Sequence, residues 1–171
     1  DKGTAYIATT RYKFNDHTPS LYKTTDYGKT WANISNGIPY GAFTRVVRED
    51  DKQKDLLYAG TETGIYLSRN GGKTWSPFNL NLPLTPITDL KVFRNNLIAT
   101  TSGRSIWILD DLHTVRQYDL SKKDSVYLFE PSPVTLLNSN SEMNGNTDDF
   151  KGSYTYAGVN PARGVVLYYT L

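Results

Sequence analysis

Cysteine is absent from this chain of 171 residues. Disulfides, thiolate metal ligands and cysteine nucleophiles are therefore excluded. Only two histidines are present, His17 and His113, and each stands in a polar, loop-like stretch. A metal site would have to rely mainly on oxygen ligands, and we predict neither a metal site nor a cofactor.

An excess of one charge and long apolar runs are also lacking. The chain has 19 Lys and Arg residues and 17 Asp and Glu residues, which gives a formal net charge of +2. No block of Lys and Arg is dense enough to follow a nucleic-acid backbone. No apolar run approaches the length of a membrane span. We therefore predict no nucleic-acid partner and no insertion into a membrane.

Aromatic residues are abundant instead. The chain has 13 tyrosines, six phenylalanines and three tryptophans. Aromatic and β-branched residues favour the pleated, half-buried surface of a sheet. Long stretches of Ala, Leu, Glu and Lys at helical spacing are missing. The sequence therefore predicts an all-β fold.

Internal repetition indicates how the predicted strands are organised. The most complete copy contains four short apolar runs bounded by Gly, Asn or Asp: Phe43–Asp50, Asp55–Thr61, Gly64–Arg69 and Lys73–Phe78. A later copy repeats the first three runs: Ile87–Phe93, Asn96–Thr101 and Ser105–Asp111. The earliest copy begins in the middle of the unit, and a polar insertion at 13–19 separates its two strands. Four strands in roughly 40 to 50 residues are typical of a propeller blade. We predict a partial β-propeller of four-stranded antiparallel blades.

One octet occurs twice, as TTDYGKTW at Thr24–Trp31 and as SRNGGKTW at Ser68–Trp75. The third side chain of the octet can accept hydrogen bonds from N–H groups of the turn. The fifth residue is a glycine, which tolerates a positive φ, and the last is a tryptophan that covers apolar area. The positions concerned are Thr24, Asp26, Gly28, Thr30 and Trp31, and Ser68, Asn70, Gly72, Thr74 and Trp75. We predict that all ten are structural residues of a hairpin turn.

The two octets resemble the Asp box, or BNR repeat, of sialidases, sortilin-like receptors and xyloglucanase-like glycoside hydrolases. The stretch Pro83–Gln117 is similar to the final blade of large bacterial sortilin-like or glycosyl-hydrolase-like proteins. Gly158–Leu171 is similar to the segment that opens a small β-sandwich after that propeller. The resemblance implies that the octets lie on the outer rim, with a structural role. It also implies an exported protein, in the periplasm or at the cell surface.

Three regions are predicted along the chain. Residues 1–137 form an incomplete propeller of about three blades, 138–153 form a flexible polar linker, and 154–171 supply the first strand of a C-terminal β-sandwich-like domain. A closed propeller has at least about four blades, so we expect a C-terminal portion of a longer polypeptide. Such a portion would bind its missing N-terminal blades or self-associate through open blade edges.

Glycoside hydrolysis usually needs two carboxylates, and the candidates are Glu62, Asp89, Asp110 and Asp111. Asp89 follows a proline-rich turn and is predicted to hold a loop. Asp110 and Asp111 stand where the octet of the third copy would be, which favours a turn role. The arginines lack the Arg-Ile-Pro context found in sialidases. We predict no catalytic residue in this portion.

Glu62, Arg104 and Trp107 are the predicted binding residues. Arg104 and Trp107 flank a tight turn, and guanidinium and aromatic planes stack on sugars or peptides. The alternatives are a buried blade residue for Trp107 and a solvated side chain for Glu62. Two functions remain open from the sequence. One is a noncatalytic scaffold for a glycan, peptide or protein ligand, and the other is part of an exported glycoside hydrolase whose carboxylates lie mainly outside these residues.

Overall fold

A computed structural model of the chain describes residues 2–118, 126–134 and 164–170. Its contacts divide the chain into two units, Asp1–Leu112 and His113–Leu171. Antiparallel sheets of three and four strands make up the first unit. The predicted all-β fold is confirmed, and the arrangement is that of a partial β-propeller.

Three sheets follow one another along the first unit. Sheet I has the strand order β1-β2-β3, sheet II has β4-β5-β6-β7, and sheet III has β10-β9-β8. The strands of sheet I are β1 (Ala5–Arg11), β2 (Asp16–Thr24) and β3 (Ala32–Asn33). Those of sheet II are β4 (Thr44–Glu49), β5 (Leu57–Thr61), β6 (Gly64–Ser68) and β7 (Ser76–Pro77). Those of sheet III are β8 (Ile87–Phe93), β9 (Asn96–Thr101) and β10 (Ile106–Leu109).

The polar insertion predicted at 13–19 is shorter in the structure. A 3₁₀ helix occupies Tyr12–Phe14, and β2 already begins at Asp16. Asp16 pairs with Arg11 in the sheet register, and their side chains form an ion pair of 2.9 Å between Nη2 and Oδ2. The composition of this stretch is typical of a turn, but pairing with β1 extends the strand through it.

The fourth strand of sheet II is also shorter than the predicted run Lys73–Phe78. Only Ser76–Pro77 pair with β6. Residues before them belong to the octet turn, and Pro77 has no N–H with which to extend the ladder. The outermost strands of sheets I and II are therefore both two residues long.

Hydrophobic packing joins the sheets in chain order, with β4 lying between β1 and β8. The strands β5 and β6 are buried along their whole length, so sheet II is the covered middle layer. A core cluster lies between sheets I and II, and it comprises Leu21, Ile38, Ala42, Val47, Leu57, Ala59, Tyr66 and Trp75. Burial of these side chains is the main contribution to holding the two sheets together.

The second unit contains the helix α1 (His113–Gln117) and two short strands, β11 (Tyr127–Leu128) and β12 (Tyr169–Thr170). The two strands pair antiparallel, which the sequence did not predict. The linker predicted at 138–153 lies outside the described residues, so the predicted domain boundaries stay predictions. Across the parts of the chain that the structure describes, no helix has the length and apolarity needed to cross a membrane.

Candidate functional site

The first octet forms a turn whose polar groups bind one another. Thr24 Oγ1 donates to Asp26 Oδ1 at 2.8 Å and accepts the Gly28 N–H at 3.0 Å. Thr30 donates its N–H to Asp26 Oδ1 at 2.9 Å and its hydroxyl to Oδ2 at 2.7 Å. Donation from Thr30, then from Thr24, lowers the pKa of Asp26 to about 2. Both oxygens of the Asp26 carboxylate therefore accept hydrogen bonds from groups of its own turn.

The second octet repeats this pattern with an amide. Ser68 Oγ donates to Asn70 Oδ1 at 3.0 Å and accepts the Gly72 N–H at 2.9 Å. The Thr74 N–H donates to Asn70 Oδ1 at 2.9 Å. The fourth bond runs in the opposite direction, because Asn70 Nδ2 donates to Thr74 Oγ1 at 2.8 Å. The assignment of all ten octet residues to a purely structural role stays a prediction.

The tryptophans that end the octets differ in their surroundings. Trp31 is 40% exposed, and its indole N–H donates to Gly28 O in its own turn at 3.1 Å. Trp75 is 4% exposed, and its indole N–H donates to Ile34 O in the segment that follows β3. The Trp75 backbone N–H donates to Asn36 O at 3.0 Å. Trp75 therefore joins sheets I and II, whereas Trp31 stays with its own hairpin.

Two of the predicted binding residues, Glu62 and Arg104, occupy corresponding turns of sheets II and III, and Trp107 lies in β10. Glu62 follows β5 and accepts from Arg45 Nε at 3.0 Å and from Arg45 Nη2. Arg104 lies between β9 and β10, and its carbonyl accepts the indole N–H of Trp107 at 2.7 Å. Arg104 and Trp107 are thus brought together. In the described parts of the chain, no hydrogen bond or ion pair connects Glu62 to either of them.

A groove along the inner strands was not predicted from the sequence. We call it the inner-strand groove, and its lining comes from β1, β4 and β8: Tyr6, Ile7, Ala8, Arg45, Val46, Val47, Arg48, Thr88 and Asp89. Arg48 Nη2 lies 2.8 Å from Asp89 Oδ1, and Arg48 Nε donates to Leu90 O at 2.9 Å. Asp89 Oδ1 also accepts the Leu90 N–H at 2.8 Å. Asp89 therefore joins sheets II and III rather than only holding a loop.

Aromatic rings fix the other arginine of the groove. The guanidinium carbon of Arg45 lies 5.1 Å from the Phe43 ring centroid and 5.9 Å from that of Tyr12. Tyr12 and Phe43 stack at 5.2 Å. Cation–π contact and the ion pair with Glu62 together hold the guanidinium in place. Tyr12 ended a predicted strand and was not among the predicted binding residues, but the structure places it in the 3₁₀ helix that follows β1.

A second polar cluster lies between sheets I and II. Lys23 Nζ lies 3.4 Å from Asp55 Oδ1 and 5.3 Å from the Tyr6 ring centroid. Burial raises the pKa of Tyr6, and its hydrogen bond with Lys23 opposes that change only in part. Burial alone would lower the pKa of Lys23, but Tyr6 and Asp55 together raise it. This cluster is an inter-sheet ion pair that favours charged Lys23.

The remaining carboxylate candidates have turn positions. Asp111 Oδ1 accepts from Asn95 Nδ2 at 2.7 Å, and the Asp111 N–H donates to Asn96 Oδ1 at 3.0 Å. Asp110 is exposed. Within the described residues, no group of three or more His, Asp or Glu side chains is placed to hold a metal ion.

Comparison with known proteins gave matches only among solved structures. No protein-family model matches the chain. No curated protein matches it either. An ancestral GH74 enzyme is 19% identical with a TM-score of 0.48, over 60% of this chain and 12% of that one. A GH74 xyloglucanase from Xanthomonas campestris is 13% identical with a TM-score of 0.44, over 61% of this chain and 19% of that one.

A third solved structure is YCF48 bound to D1 peptide. It is 16% identical with a TM-score of 0.44, over 64% of this chain and 42% of that one. The chain thus spans less than half the length of each of these proteins. Likeness at this level says nothing about ligand or activity.

Proposed function

We propose that the chain is part of a β-propeller that acts as a noncatalytic binding scaffold for a glycan, peptide or protein ligand. The inner-strand groove is the proposed binding surface. The observation that carries the proposal is the pairing of each groove arginine with a carboxylate: Arg45 with Glu62 and Arg48 with Asp89. Paired groups hold a fixed geometry and present no separate acid and base.

Both ion pairs remain partly exposed, so they can still meet a ligand. A guanidinium has five N–H donors, and a carboxylate has acceptor positions on two oxygens. Arg45 uses two of its nitrogens on a single oxygen of Glu62. Donors of Arg45 and the second oxygen of Glu62 are therefore left side by side. Because the two charges offset each other, the site suits an uncharged polar ligand, such as sugar hydroxyls or a peptide amide.

Aromatic area next to Arg45 adds an apolar face to this surface. Tyr12 stacks on Phe43 and is 42% exposed. Rings of this kind contact sugar or peptide faces, while the neighbouring ion pair supplies directional bonds. Glu62 belongs to the proposed surface through Arg45. Arg104, in the turn between β9 and β10, and Trp107, in β10, stay predicted binding residues.

Family and location form part of the same proposal. We infer that the octets are Asp boxes of a sortilin-like or xyloglucanase-like propeller, and that the protein is exported to the periplasm or the cell surface. Support comes from the repeated hydrogen-bond pattern of the two turns, in which Asp26 and Asn70 bind their own backbone. Because these two side chains are occupied within their own turns, the inner-strand groove is the better surface for a ligand.

The test is a screen of the full chain on glycan and peptide arrays, followed by titration calorimetry of each hit. We expect binding that Arg45→Ala weakens about tenfold or more, because a charge-assisted contact is lost. Arg11→Ala is the matched control, since Arg11 forms an ion pair with Asp16 outside the groove. Failure of every hit to respond to Arg45→Ala would exclude the groove as the binding site.

A panel of chromogenic glycosides distinguishes the alternative function. The proposal expects no turnover by the chain. Turnover that is abolished by Glu62→Gln or Asp89→Asn would instead make the groove part of an exported glycoside hydrolase. Both substitutions keep the size of the side chain and remove its charge, so they test for an acid or a base.

A further inference from the structure

Asparagine followed by glycine occurs twice in the described residues, at Asn36 and Gly37 and at Asn70 and Gly71. An asparagine side chain can react with the next backbone nitrogen, and a glycine there leaves the nitrogen accessible because it has no Cβ. The nitrogen bonds to the asparagine Cγ, the Cγ–Nδ2 bond breaks, and ammonia leaves with the proton of the glycine N–H. A succinimide ring remains in the chain.

Water then opens this ring in one of two ways. Addition of water at Cγ gives aspartate and restores the original backbone. Addition at the former backbone carbonyl gives isoaspartate, in which the main chain passes through Cβ and Cγ and the carbonyl becomes a free carboxylate. The reaction needs no reagent besides the chain and water, so the surroundings of each asparagine decide where it occurs.

The amide of Asn70 is held by its own octet turn. Its Oδ1 accepts from Ser68 Oγ at 3.0 Å and from the Thr74 N–H at 2.9 Å, and its Nδ2 donates to Thr74 Oγ1 at 2.8 Å. Gly71 is buried, and its N–H donates to Asp55 O at 2.9 Å. Ring closure at Asn70 has to break these bonds, and each broken bond raises the barrier.

The amide of Asn36 is held by a single hydrogen bond, from Nδ2 to Lys73 O at 3.2 Å. Among the described residues, no group donates to Asn36 Oδ1, and no group accepts the Gly37 N–H. The Ile38 N–H donates to Ser35 O at 3.1 Å and closes a β-turn, in which Gly37 has a φ of 99°. The nitrogen that must attack is therefore not held by a hydrogen bond.

The loop at residues 34–38, which we call the Asn36 loop, lies at the boundary between sheets I and II. Both sheets belong to the first unit. Asn36 O accepts the Trp75 backbone N–H at 3.0 Å, and Ile34 O accepts the indole N–H. A Cβ on Gly37 would stand 2.5 Å from the Trp75 carbonyl oxygen. An extra backbone atom between residues 36 and 37 therefore requires the loop to move away from Trp75.

We propose that Asn36 is a site of spontaneous conversion to aspartate and isoaspartate in the folded protein, and that isoaspartate at this position weakens the boundary between sheets I and II. Isoaspartate displaces the carbonyl that accepts the Trp75 N–H and lengthens the loop where it is most closely packed. Aspartate is the milder product, because it keeps the backbone and loses the bond from Nδ2 to Lys73 O. The second octet turn protects Asn70 from the same reaction.

The test of the site is peptide mapping by mass spectrometry after the full chain has been kept in mildly alkaline buffer, with isoaspartate detected by enzymatic methylation. We expect Asn36 to be converted about tenfold faster than Asn70 or more, because fewer hydrogen bonds must break. In urea that unfolds the chain, the two rates should converge. Equal rates in the folded protein, or a faster reaction at Asn70, would overturn the proposal.

A matched variant tests the protection of Asn70. Thr74→Val removes the hydroxyl that accepts from Asn70 Nδ2. It should raise the rate at Asn70 and leave the rate at Asn36 unchanged. An unchanged rate at Asn70 would contradict protection by the turn.

Urea titration of the incubated protein tests the effect on the boundary. The urea midpoint should fall as the isoaspartate content at position 36 rises. Asn36→Ser, which cannot form the ring, should keep its midpoint through the same incubation, and Asn36→Asp should lie close to the fresh wild type. A midpoint that does not fall, or a fall that Asn36→Ser shares, would overturn the effect on the boundary. None of these results bears on ligand binding in the inner-strand groove, since Asn36 and Asn70 lie outside its lining.

Discussion

The first octet turn ends in a tryptophan that is 40% exposed, whereas the second ends in one that is 4% exposed. The turns themselves share the same hydrogen bonds, except that the bond between the third and seventh side chains of the octet runs in opposite directions. Sheet I supplies a carbonyl and apolar side chains around Trp75. The octet therefore encodes a hairpin turn, and the neighbouring sheet determines how much stability its tryptophan contributes.

The free-energy contributions expected for the turn hydrogen bonds and for the tryptophans lead to the same distinction. Each exposed turn bond contributes about 0.5–1.5 kcal/mol at most. Truncation of a buried large aromatic residue costs about 3–5 kcal/mol, because apolar contact is lost and a cavity remains. The two octets should therefore differ in their contribution to stability mainly through their tryptophans.

Substitution of the tryptophans gives the largest expected effect. Trp75→Ala should lower the free energy of unfolding by about 3–5 kcal/mol, whereas Trp31→Ala should lower it by about 1 kcal/mol or less. Urea titration of the two variants, at a protein concentration low enough to prevent self-association, measures both losses in the free energy of unfolding. Equal losses would show that the neighbouring sheet does not distinguish the two positions.

Substitution of the octet glycines should have a smaller effect on stability, and the effect should differ between the two turns. Gly28 and Gly72 both have a positive φ, of 84° and 90°. A Cβ on Gly28 would meet nothing nearer than 3.8 Å, whereas a Cβ on Gly72 would stand 2.6 Å from Ile34 Cδ1. Gly28→Ala should cost about 1–2 kcal/mol from the left-handed backbone alone, and Gly72→Ala about 2–4 kcal/mol. The same urea titrations decide, and a Gly28→Ala loss as large as that of Gly72→Ala would contradict the packing of Ile34 on the second turn.

Acid titration has the smallest expected effect and separates the two turns by charge. The pKa of Asp26 is lowered from 3.8 to about 2. The ionised form therefore contributes stability above about pH 4, and that contribution is lost as the pH falls towards about 2. Asn70 does not titrate. Asp26→Asn should make the melting temperature fall less as the pH is lowered from about 4 to about 2. Asn70→Asp should make it fall more.

Melting followed by circular dichroism from about pH 7 to about pH 2 measures this change. Thr30→Val is a useful companion, since it removes the hydroxyl that donates to Asp26 Oδ2. If Asp26→Asn leaves the fall of the melting temperature at low pH unaltered, other carboxylates govern acid unfolding.

Much of the fold could be predicted wherever turn residues stand at both ends of an apolar run. The runs Ile87–Phe93 and Asn96–Thr101 match β8 and β9 to the residue, because Arg94 and Asn95 take a positive φ between them. The start of β2 was missed. Its residues have a turn-like composition, and only pairing with β1 makes them a strand.

The candidate site was less predictable, because its groups come together from distant parts of the chain. Glu62 was singled out from its turn, but Arg45 is 17 residues away, and Asp89 is 41 residues from Arg48. No local pattern encodes such pairs.

Hydrogen exchange of the indole N–H groups in dilute solution tests whether Trp75 joins two consecutive sheets. Nuclear magnetic resonance resolves one such signal for each tryptophan, and Trp31→Phe and Trp75→Phe assign them. We expect the Trp75 indole N–H to exchange far more slowly than that of Trp31, because Ile34 O accepts it and the core cluster covers it. Exchange of Trp75 as fast as that of Trp31 would contradict the stacking of the sheets.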